Sequence, residues 1–251
     1  MIVFPNAKIN IGLNVVEKRS DGFHNIESIF YPIMDLFDVL EIVENEDLAF
    51  KSTGIEIPGD DDSNLCLKAF HLIKADFNIR NVNIHLHKNI PIGAGLGGGS
   101  SDGAFMLKSL NELFELNLTS VQLVKYAKQL GSDCAFFIDN VPVYAYNKGD
   151  DFEFIDLDLS SYEIKIEYPK IHIGTKEAYT GIVPVSSQKN LKELINQPIE
   201  NWKSSIINDF EKSVIPQYPL VEELKQKMYL DGAIFASMTG SGSAVYGFFN
   251  K

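Results

Sequence analysis

One stretch of the chain is exceptionally rich in glycine: Pro91-Ile92-Gly93-Ala94-Gly95-Leu96-Gly97-Gly98-Gly99-Ser100-Ser101. It contains five glycines within seven positions. Each glycine costs roughly 0.5–1 kcal/mol relative to alanine in regular structure, so a simple hinge or tight turn explains the run poorly. Glycines allow consecutive backbone N–H groups to converge on an anion, and a helix that follows adds its positive N-terminal end. The stretch, called here the glycine loop (residues 91–101), therefore predicts a phosphate-binding cradle.

The segments that flank the glycine loop indicate the type of sheet and helix around it. Before the loop, apolar residues alternate with asparagine and histidine, which predicts a strand with one wet face and favours an antiparallel sheet. After the loop, apolar residues recur at helical spacing. The residues that carry these two patterns are Val82, Ile84 and Leu86 in the strand and Ala104, Leu107, Leu110 and Phe114 in the helix.

Two common phosphate-binding motifs fit the glycine loop poorly. Gly93, Gly95 and Gly98 match the spacing of the dinucleotide-binding fingerprint, but that motif follows a near-continuous apolar strand. A Walker A loop carries a lysine directly after its last glycine, and here Ser100 follows. A dinucleotide-binding oxidoreductase is therefore kept only as a third alternative.

Strand-like and helix-like segments along the whole chain do not alternate regularly, which predicts an α+β fold. Helices are expected after caps at Asn64 and Thr119 and near Leu191 and Leu224. A turn-rich segment at residues 147–151 predicts a domain boundary near residue 150, with domains over 1–150 and 151–251. The remaining predicted strands cover residues 38–43, 141–146, 163–168 and 244–249.

The composition excludes several classes of protein. The chain has 251 residues, of which 45% are hydrophobic, and 34 acidic residues against 22 basic ones give a net charge of −12. This composition is typical of a globular protein, and the acidity argues against binding to nucleic acid or to an anionic membrane. No apolar run reaches the ~18 residues of a membrane-spanning helix, and the first residues lack a signal-peptide pattern. Cys66 and Cys134 lack metal-binding spacing, which favours buried free thiols and a cytoplasmic protein.

A second cluster of small residues, 239–243, lies just before the last predicted strand and consists of Thr239-Gly240-Ser241-Gly242-Ser243. By itself this cluster predicts only a loop. Beside the glycine loop it would supply further N–H donors to the same ligand.

Five segments in order resemble motifs of the GHMP small-molecule kinases. Residues 5–10, 91–101 and 238–244 resemble the three motifs of the superfamily. Residues 19–24 and 131–133 resemble segments of the branch that acts on a cytidine-diphosphate-linked methylerythritol. The resemblance covers nearly the whole chain. Two departures affect local loop geometry: Ala135 stands where a proline is usual, and Gly149-Asp150-Asp151 replaces a Gly-x-Gly-Glu turn.

The resemblance implies a two-domain GHMP-kinase-like fold, with a mixed or antiparallel sheet and helices in the N-terminal domain and an α+β C-terminal domain. It implies ATP, with Mg²⁺, as phosphoryl donor and the 2-hydroxyl of the methylerythritol as acceptor, in the non-mevalonate route to isoprenoids. The expected protein is a cytoplasmic monomer or weak homodimer. Alternatives are another GHMP kinase, acting on mevalonate, homoserine or galactose, and a nucleotide-binding regulatory domain without catalysis.

The resemblance also assigns catalytic roles. Asp133 would act as general base for the hydroxyl or would orient it, whereas the residue pattern alone favours a helix cap. Lys8 lies in an apolar stretch, where a lysine needs a partner. By resemblance it would pair with Asp133 and stabilise the phosphoryl group, and a structural salt bridge is the alternative.

The remaining site residues are assigned to the two ligands. By resemblance, Asn10 and His24 would bond the cytosine edge, while Phe23 or Tyr179 stacks on its ring. Gly240, Ser241 and Gly242 would also contact the substrate. The glycine loop would hold the ATP phosphates, with Ser100 or Ser101 near the metal. Lys88 would lie near the adenine, or would simply be a solvated strand end.

Overall fold

The computed structural model describes residues 1–185 and 190–251. The strands are β1 (Ile2–Val3), β2 (Asn6–Lys18), β3 (His24–Phe37), β4 (Val39–Asn45), β5 (Ala49–Gly54), β6 (Asn81–Lys88), β7 (Val143–Tyr146), β8 (Asp151–Phe154), β9 (Tyr162–Glu167), β10 (Phe235–Met238) and β11 (Val245–Asn250). The α-helices are α1 (Leu65–Asp76), α2 (Gly98–Leu113), α3 (Ser120–Leu130), α4 (Phe136–Asp139), α5 (Thr175–Ala178), α6 (Leu191–Ile195), α7 (Glu211–Val214) and α8 (Pro219–Leu230).

The chain forms two compact units that are each discontinuous in sequence. Unit 1 contains residues Met1–Lys8, Pro32–Ile92 and Gly97–Val141. Unit 2 contains residues Ile9–Tyr31, Gly93–Leu96 and Pro142–Lys251. The glycine loop is thus divided: residues 93–96 belong to unit 2, whereas residues 91–92 and 97–101 belong to unit 1.

Unit 1 is a four-stranded sheet with helices on one face. The strand order is β1-β4-β6-β5, and only the β5–β6 pair is parallel. Alternate residues of β6, namely Val82, Ile84 and Leu86, are fully buried, which confirms the predicted strand with one wet face. On the covered side, α1 packs against α2.

The helices of unit 1 begin where their capping residues predict. The Asn64 side chain accepts a 2.9 Å hydrogen bond from the Cys66 N–H at the start of α1. Thr119 and Gln122 form a reciprocal capping box at the start of α3. Gly131 follows the last residue of α3, as expected for a helix C-cap. The local sequence was sufficient to predict these helix ends because each cap satisfies a backbone group that the helix leaves unpaired.

Unit 2 has an antiparallel sheet of order β10-β11-β9 and the larger part of a sheet of order β2-β3-β7-β8. Aromatic rings fill the interior beside the first sheet: Trp202 lies edge-on to Phe235 and Phe248, with ring centroids 5.7 and 6.0 Å away. Such edge-to-face contacts stabilise a core beyond the area they bury. In the part of the chain that the structure describes, no helix is long and apolar enough to span a membrane.

The predicted α+β class is confirmed, while several strands were not predicted. The 14-residue strand β3 carries Glu27, Pro32 and Asp35, which obscure any alternation. The segment predicted as a linker forms the turn between β7 and β8, where Asn147 and Gly149 both have positive φ. The division into domains 1–150 and 151–251 stays a prediction.

Loss of the α3 capping box tests the contribution of local structure to stability. We expect Thr119→Ala to lower the free energy of unfolding by about 1 kcal/mol, because the Gln122 N–H in the first turn loses its acceptor. Urea denaturation measures this change. Thr119→Ser, which keeps the hydroxyl, is the control, and equal destabilisation by both substitutions would contradict a capping role.

Candidate active site

The second half of the glycine loop requires glycine because its backbone lies against a buried lysine. Gly97 has φ +72°, a left-handed conformation that other residues rarely adopt. A Cβ at Gly97 would lie 3.0 Å from Lys8 Cγ and from Phe137 Cζ. Gly97 therefore provides the space through which the Lys8 side chain passes, and α2 begins at the next residue.

Lys8 and Asp133 form an ion pair within unit 1, with 3.2 Å between Lys8 Nζ and Asp133 Oδ2. The Lys8 side chain is only 4% exposed, whereas the Asp133 side chain is 32% exposed. An ammonium removed from water needs a carboxylate nearby. The pairing that the sequence predicted is thus present, and the carboxylate is the accessible member of the pair.

Lys88, by contrast, is sealed in a carboxylate cluster. Its ammonium bonds the Asp38 carboxylate and lies 2.8 Å from Asp102 Oδ2. Asp38 Oδ1 also accepts the backbone N–H groups of Asn89 and Ile90, at 2.6 and 2.8 Å. The side chain of Lys88 is 3% exposed, so the alternative of a solvated strand end is wrong. Its charge is directed into unit 1, and contact with adenine stays a prediction.

The Lys88 cluster ties both ends of the glycine loop to the sheet, since Asp102 lies in the first turns of α2. Burial is the largest influence on Asp102, and the charge of Asp38 adds to it. Together they raise the pKa of Asp102 to about 7 despite the opposing effect of Lys88. Within the described residues, Asp102 Oδ1 and the Ser101 hydroxyl are buried without a hydrogen-bond partner.

The two serines at the start of α2 differ in accessibility. Ser101 is fully buried, and Ser100 is half-buried. Of the two, Ser100 is therefore the more accessible to solvent, and its contact with a phosphate or metal stays a prediction. The neighbouring thiol of Cys134 is buried, and this burial raises its pKa to about 12. Both cysteines are free and buried, as predicted.

The predicted substrate residues of unit 2 form two separate groups of contacts. His24 stacks on Tyr179, with ring centroids 4.6 Å apart and planes at 14°. Phe23 is 61% exposed, with the Lys148 ammonium 5.5 Å from its ring centroid. Asn10 is buried, and its Nδ2 donates to the Ser28 hydroxyl at 2.9 Å. The structure therefore brings His24 and Tyr179 together and engages one donor of Asn10 inside unit 2.

A salt-bridged turn presents Phe23 and His24. Arg19 and Asp21 pair at 3.0 Å, and Asp21 also accepts the backbone N–H of Phe23. The backbone N–H of Arg19 donates to the Phe23 carbonyl at 2.8 Å. The motif at residues 19–24 is therefore a structural turn that places the next two side chains at its end.

The second small-residue cluster holds the first half of the glycine loop. The Ala244 N–H donates to the Ala94 carbonyl at 3.2 Å, and the Thr239 hydroxyl donates to the Gly95 carbonyl at 3.1 Å. The Gly242 N–H donates to the Thr239 carbonyl at 2.9 Å. These donors already have acceptors in the protein. A substrate role for Gly240, Ser241 and Gly242 stays a prediction.

Sequence reasoning missed residues that act through buried hydrogen bonds. Asn208 donates to the carbonyls of Met238 and Gly240, both at 2.9 Å, and so supports the second cluster. No local pattern marks Asn208, Asp38 or Asp102. Thr239 lies inside the cluster at residues 239–243, and its polar side chain among small residues was the signal that could have identified it.

The chain matches two family models over separate parts of its length and named proteins over all of it. Residues 64–148 match the GHMP kinases N terminal domain, and residues 185–251 match the GHMP kinases C terminal domain. The 4-diphosphocytidyl-2-C-methyl-D-erythritol kinase of Cytophaga hutchinsonii is 50% identical over 100% of this chain and 93% of its own length. The enzyme of the same name from Bacteroides fragilis is 49% identical over 100% and 92%.

Solved structures agree with these matches. A crystal structure of 4-(cytidine 5'-diphospho)-2C-methyl-D-erythritol kinase superposes with a TM-score of 0.84 at 28% identity, over 98% of this chain and 89% of that one. Methanococcus jannaschii mevalonate kinase has a TM-score of 0.71 at 16% identity over 100% and 90%, and this likeness concerns the fold alone.

The fold and the glycine loop are those of the GHMP kinases, a class of ATP-dependent small-molecule kinases. Within that class, the chain belongs to the family of 4-diphosphocytidyl-2-C-methyl-D-erythritol kinases. The alternatives of a different GHMP kinase and of a non-catalytic nucleotide-binding domain are not favoured.

Substitution of Gly97 tests the shape of the glycine loop. Gly97→Ala places a Cβ against Lys8 and Phe137 in a left-handed backbone, and such strain costs about 1–3 kcal/mol. We expect the Kd for ATP to rise at least about tenfold, measured by titration calorimetry.

The matched control is Gly232→Ala, which introduces the same kind of backbone strain at φ +100° with open space around the new Cβ. Gly232 follows α8, outside the glycine loop. Unchanged ATP affinity in a folded Gly97→Ala protein would contradict a role of the glycine loop in nucleotide binding.

Proposed function

We propose that this chain transfers the γ-phosphoryl group of ATP to the 2-hydroxyl of 4-diphosphocytidyl-2-C-methyl-D-erythritol, releasing ADP and the 2-phosphate. The observation that carries the proposal is the Lys8–Asp133 pair beside Gly97, because it joins a carboxylate that solvent can reach to a buried cation at the end of the glycine loop. The names of close relatives support the choice of substrate.

Asp133 and Lys8 act as a pair in this proposal. The Asp133 carboxylate orients the 2-hydroxyl and takes its proton as the new oxygen–phosphorus bond forms and the bond to the ADP oxygen breaks. Lys8 pairs with Asp133 and offers positive charge to the phosphoryl group in the transition state. The buried ammonium is effective because few waters screen it.

The glycine loop and the start of α2 hold the ATP phosphates. Backbone N–H groups and the positive end of a 16-residue helix favour negative charge at this position. Mg²⁺ prefers oxygen ligands and commonly keeps several phosphate oxygens and waters, so the Ser100 hydroxyl is the residue that fits it. Bound there, the metal would neutralise charge on the triphosphate. Among the residues that the structure describes, no group of three or more histidine, cysteine or acidic side chains could hold a metal by itself.

The cytidine end of the substrate is recognised in unit 2. The rings of His24 and Tyr179 are stacked on each other. In this proposal their edges, including the ring nitrogens of His24, are presented to the flat base. Exposed Phe23 provides an additional ring for stacking. The proposal further includes action in the cytoplasm as a monomer or weak homodimer, and the two free, buried cysteines agree with a reducing compartment.

A coupled ADP-release assay tests the reaction. We expect rapid ADP formation with 4-diphosphocytidyl-2-C-methyl-D-erythritol and none above background with mevalonate, homoserine or galactose. Phosphorus NMR of the product identifies the position of the new phosphate. Preference for one of the other alcohols would refute the proposed substrate.

Neutralising Asp133 tests the chemical step. Asp133→Asn keeps the shape but removes the charge and the proton acceptor, so kcat should fall by at least about 10²-fold while the KM values change little. Lys8→Met should also lower kcat. Because the two groups act together, the double variant should lose much less than the product of the single losses. Near-normal turnover of a folded Asp133→Asn protein would exclude Asp133 from the mechanism.

Removing the His24 ring tests recognition of cytosine. A buried polar edge left unpaired costs about 1–3 kcal/mol, so His24→Ala should raise the KM for the cytidylated substrate roughly ten- to hundredfold. The Kd for ATP should stay unchanged, which separates this effect from a general loss of structure. A normal KM for the cytidylated substrate would show that His24 does not bind the base.

A further inference from the structure

The hydroxyl of Thr239 links two backbone segments of unit 2. The side chain is fully buried. Thr239 Oγ1 accepts the N–H of Asn10 at 3.0 Å and donates to the carbonyl of Gly95 at 3.1 Å. One hydroxyl thus joins β2 to the first half of the glycine loop, and its single proton and a lone pair are both used.

The backbone of Thr239 is itself held on both sides. Its N–H donates to the Ala244 carbonyl at 3.0 Å, and its carbonyl accepts the Gly242 N–H at 2.9 Å. The Asn208 amide donates to the carbonyls of the two neighbouring residues, Met238 and Gly240. The backbone that carries the hydroxyl is therefore held in place by hydrogen bonds on both sides. As a result, the hydroxyl fixes the positions of Asn10 and Gly95 instead of moving with them.

Gly95 and Gly240 make the contact around this hydroxyl a close one. Gly95 has φ +78°, and a Cβ there would lie 2.0 Å from the Thr239 carbonyl oxygen. A Cβ at Gly240 would lie 3.1 Å from Gly95 and 3.3 Å from Asn10 Oδ1. Backbone contacts this short leave the segments around Gly95 and Gly240 little freedom to move. The Thr239 hydroxyl supplies the hydrogen bonds that fix the position of Gly95 relative to Asn10.

We propose that the Thr239 hydroxyl is a positioning group that couples the nucleotide-binding loop to the β2 segment carrying Asn10. The inference rests on the proposed function, because it needs the glycine loop to hold ATP and β2 to contribute to the alcohol substrate site. Thr239 touches neither ligand. It fixes the spacing of the two segments, and a misplacement of about 1 Å between reacting groups can reduce turnover by about 10²-fold.

Three variants separate this role from a merely structural one. Thr239→Val is nearly isosteric but leaves the Asn10 N–H and the Gly95 carbonyl without the hydroxyl, whereas Thr239→Ser retains it. Ser237→Ala is the matched control: Ser237 is also buried, two residues earlier in β10, and its hydroxyl bonds Glu211 instead. Thermal denaturation establishes the folded fraction of each protein.

In steady-state kinetics, we expect Thr239→Val to lower kcat about 10- to 100-fold. The Kd values for a non-hydrolysable ATP analogue and for the cytidylated alcohol, each measured alone, should change less than about threefold. Thr239→Ser should recover most of the turnover, and Ser237→Ala should keep normal kcat. Wild-type kcat in folded Thr239→Val, or an equal loss in Ser237→Ala, would overturn the inference.

Hydrogen exchange gives a readout that needs no turnover. The ATP analogue should protect the Asn10 amide from exchange in the unaltered chain and in Thr239→Ser but not in Thr239→Val. If the unaltered chain fails to phosphorylate the alcohol yet shows this pattern, the proposed substrate is wrong and the coupling stands. If nucleotide protects the Asn10 amide equally in all three proteins, the coupling is refuted.

Discussion

The desolvation of two lysine side chains constrains the surroundings of the glycine loop. A buried ammonium is tolerated only beside a carboxylate, and unit 1 meets this requirement twice. Lys8 pairs with Asp133, which solvent still reaches. Lys88 has two partners, Asp38 and Asp102, that are as buried as the lysine itself. One pair therefore suits an encounter with substrate, while the other anchors the ends of the loop.

The glycines of the loop serve the protein as much as the ligand. Composition suggests that missing side chains leave space for phosphates, yet at Gly95 and Gly97 that space is filled by Thr239 and Lys8. The loop is consequently held by packing before any nucleotide arrives. Preorganised N–H donors bind an anion without the entropy loss of ordering a flexible segment.

Much of this architecture could be predicted from local sequence, and the failures have a common cause. The caps at Asn64 and Thr119 and the alternation in β6 depend on neighbours along the chain, so the pattern contains the information. Strand β3 was missed because Pro32 and two acidic residues interrupt its pattern. The bonds of Asp38 to Asn89 and of Thr239 to Gly95 join distant segments. Pairing Lys8 with Asp133 required the resemblance to a family, since the residue pattern alone favoured a helix cap for Asp133.

The raised pKa of Asp102 links the folding of unit 1 to the uptake of a proton at this one carboxyl group. Its value of about 7 in the native cluster lies above the usual 3.8 of an exposed aspartic acid, so between those limits the native state binds a proton that the unfolded chain releases. The stability due to this group is complete below pH 3.8 and is lost as the pH rises through 7. Because aspartates that gain a partner normally act in the opposite sense, this one residue opposes the usual acid sensitivity of proteins and favours the native state in mildly acidic surroundings.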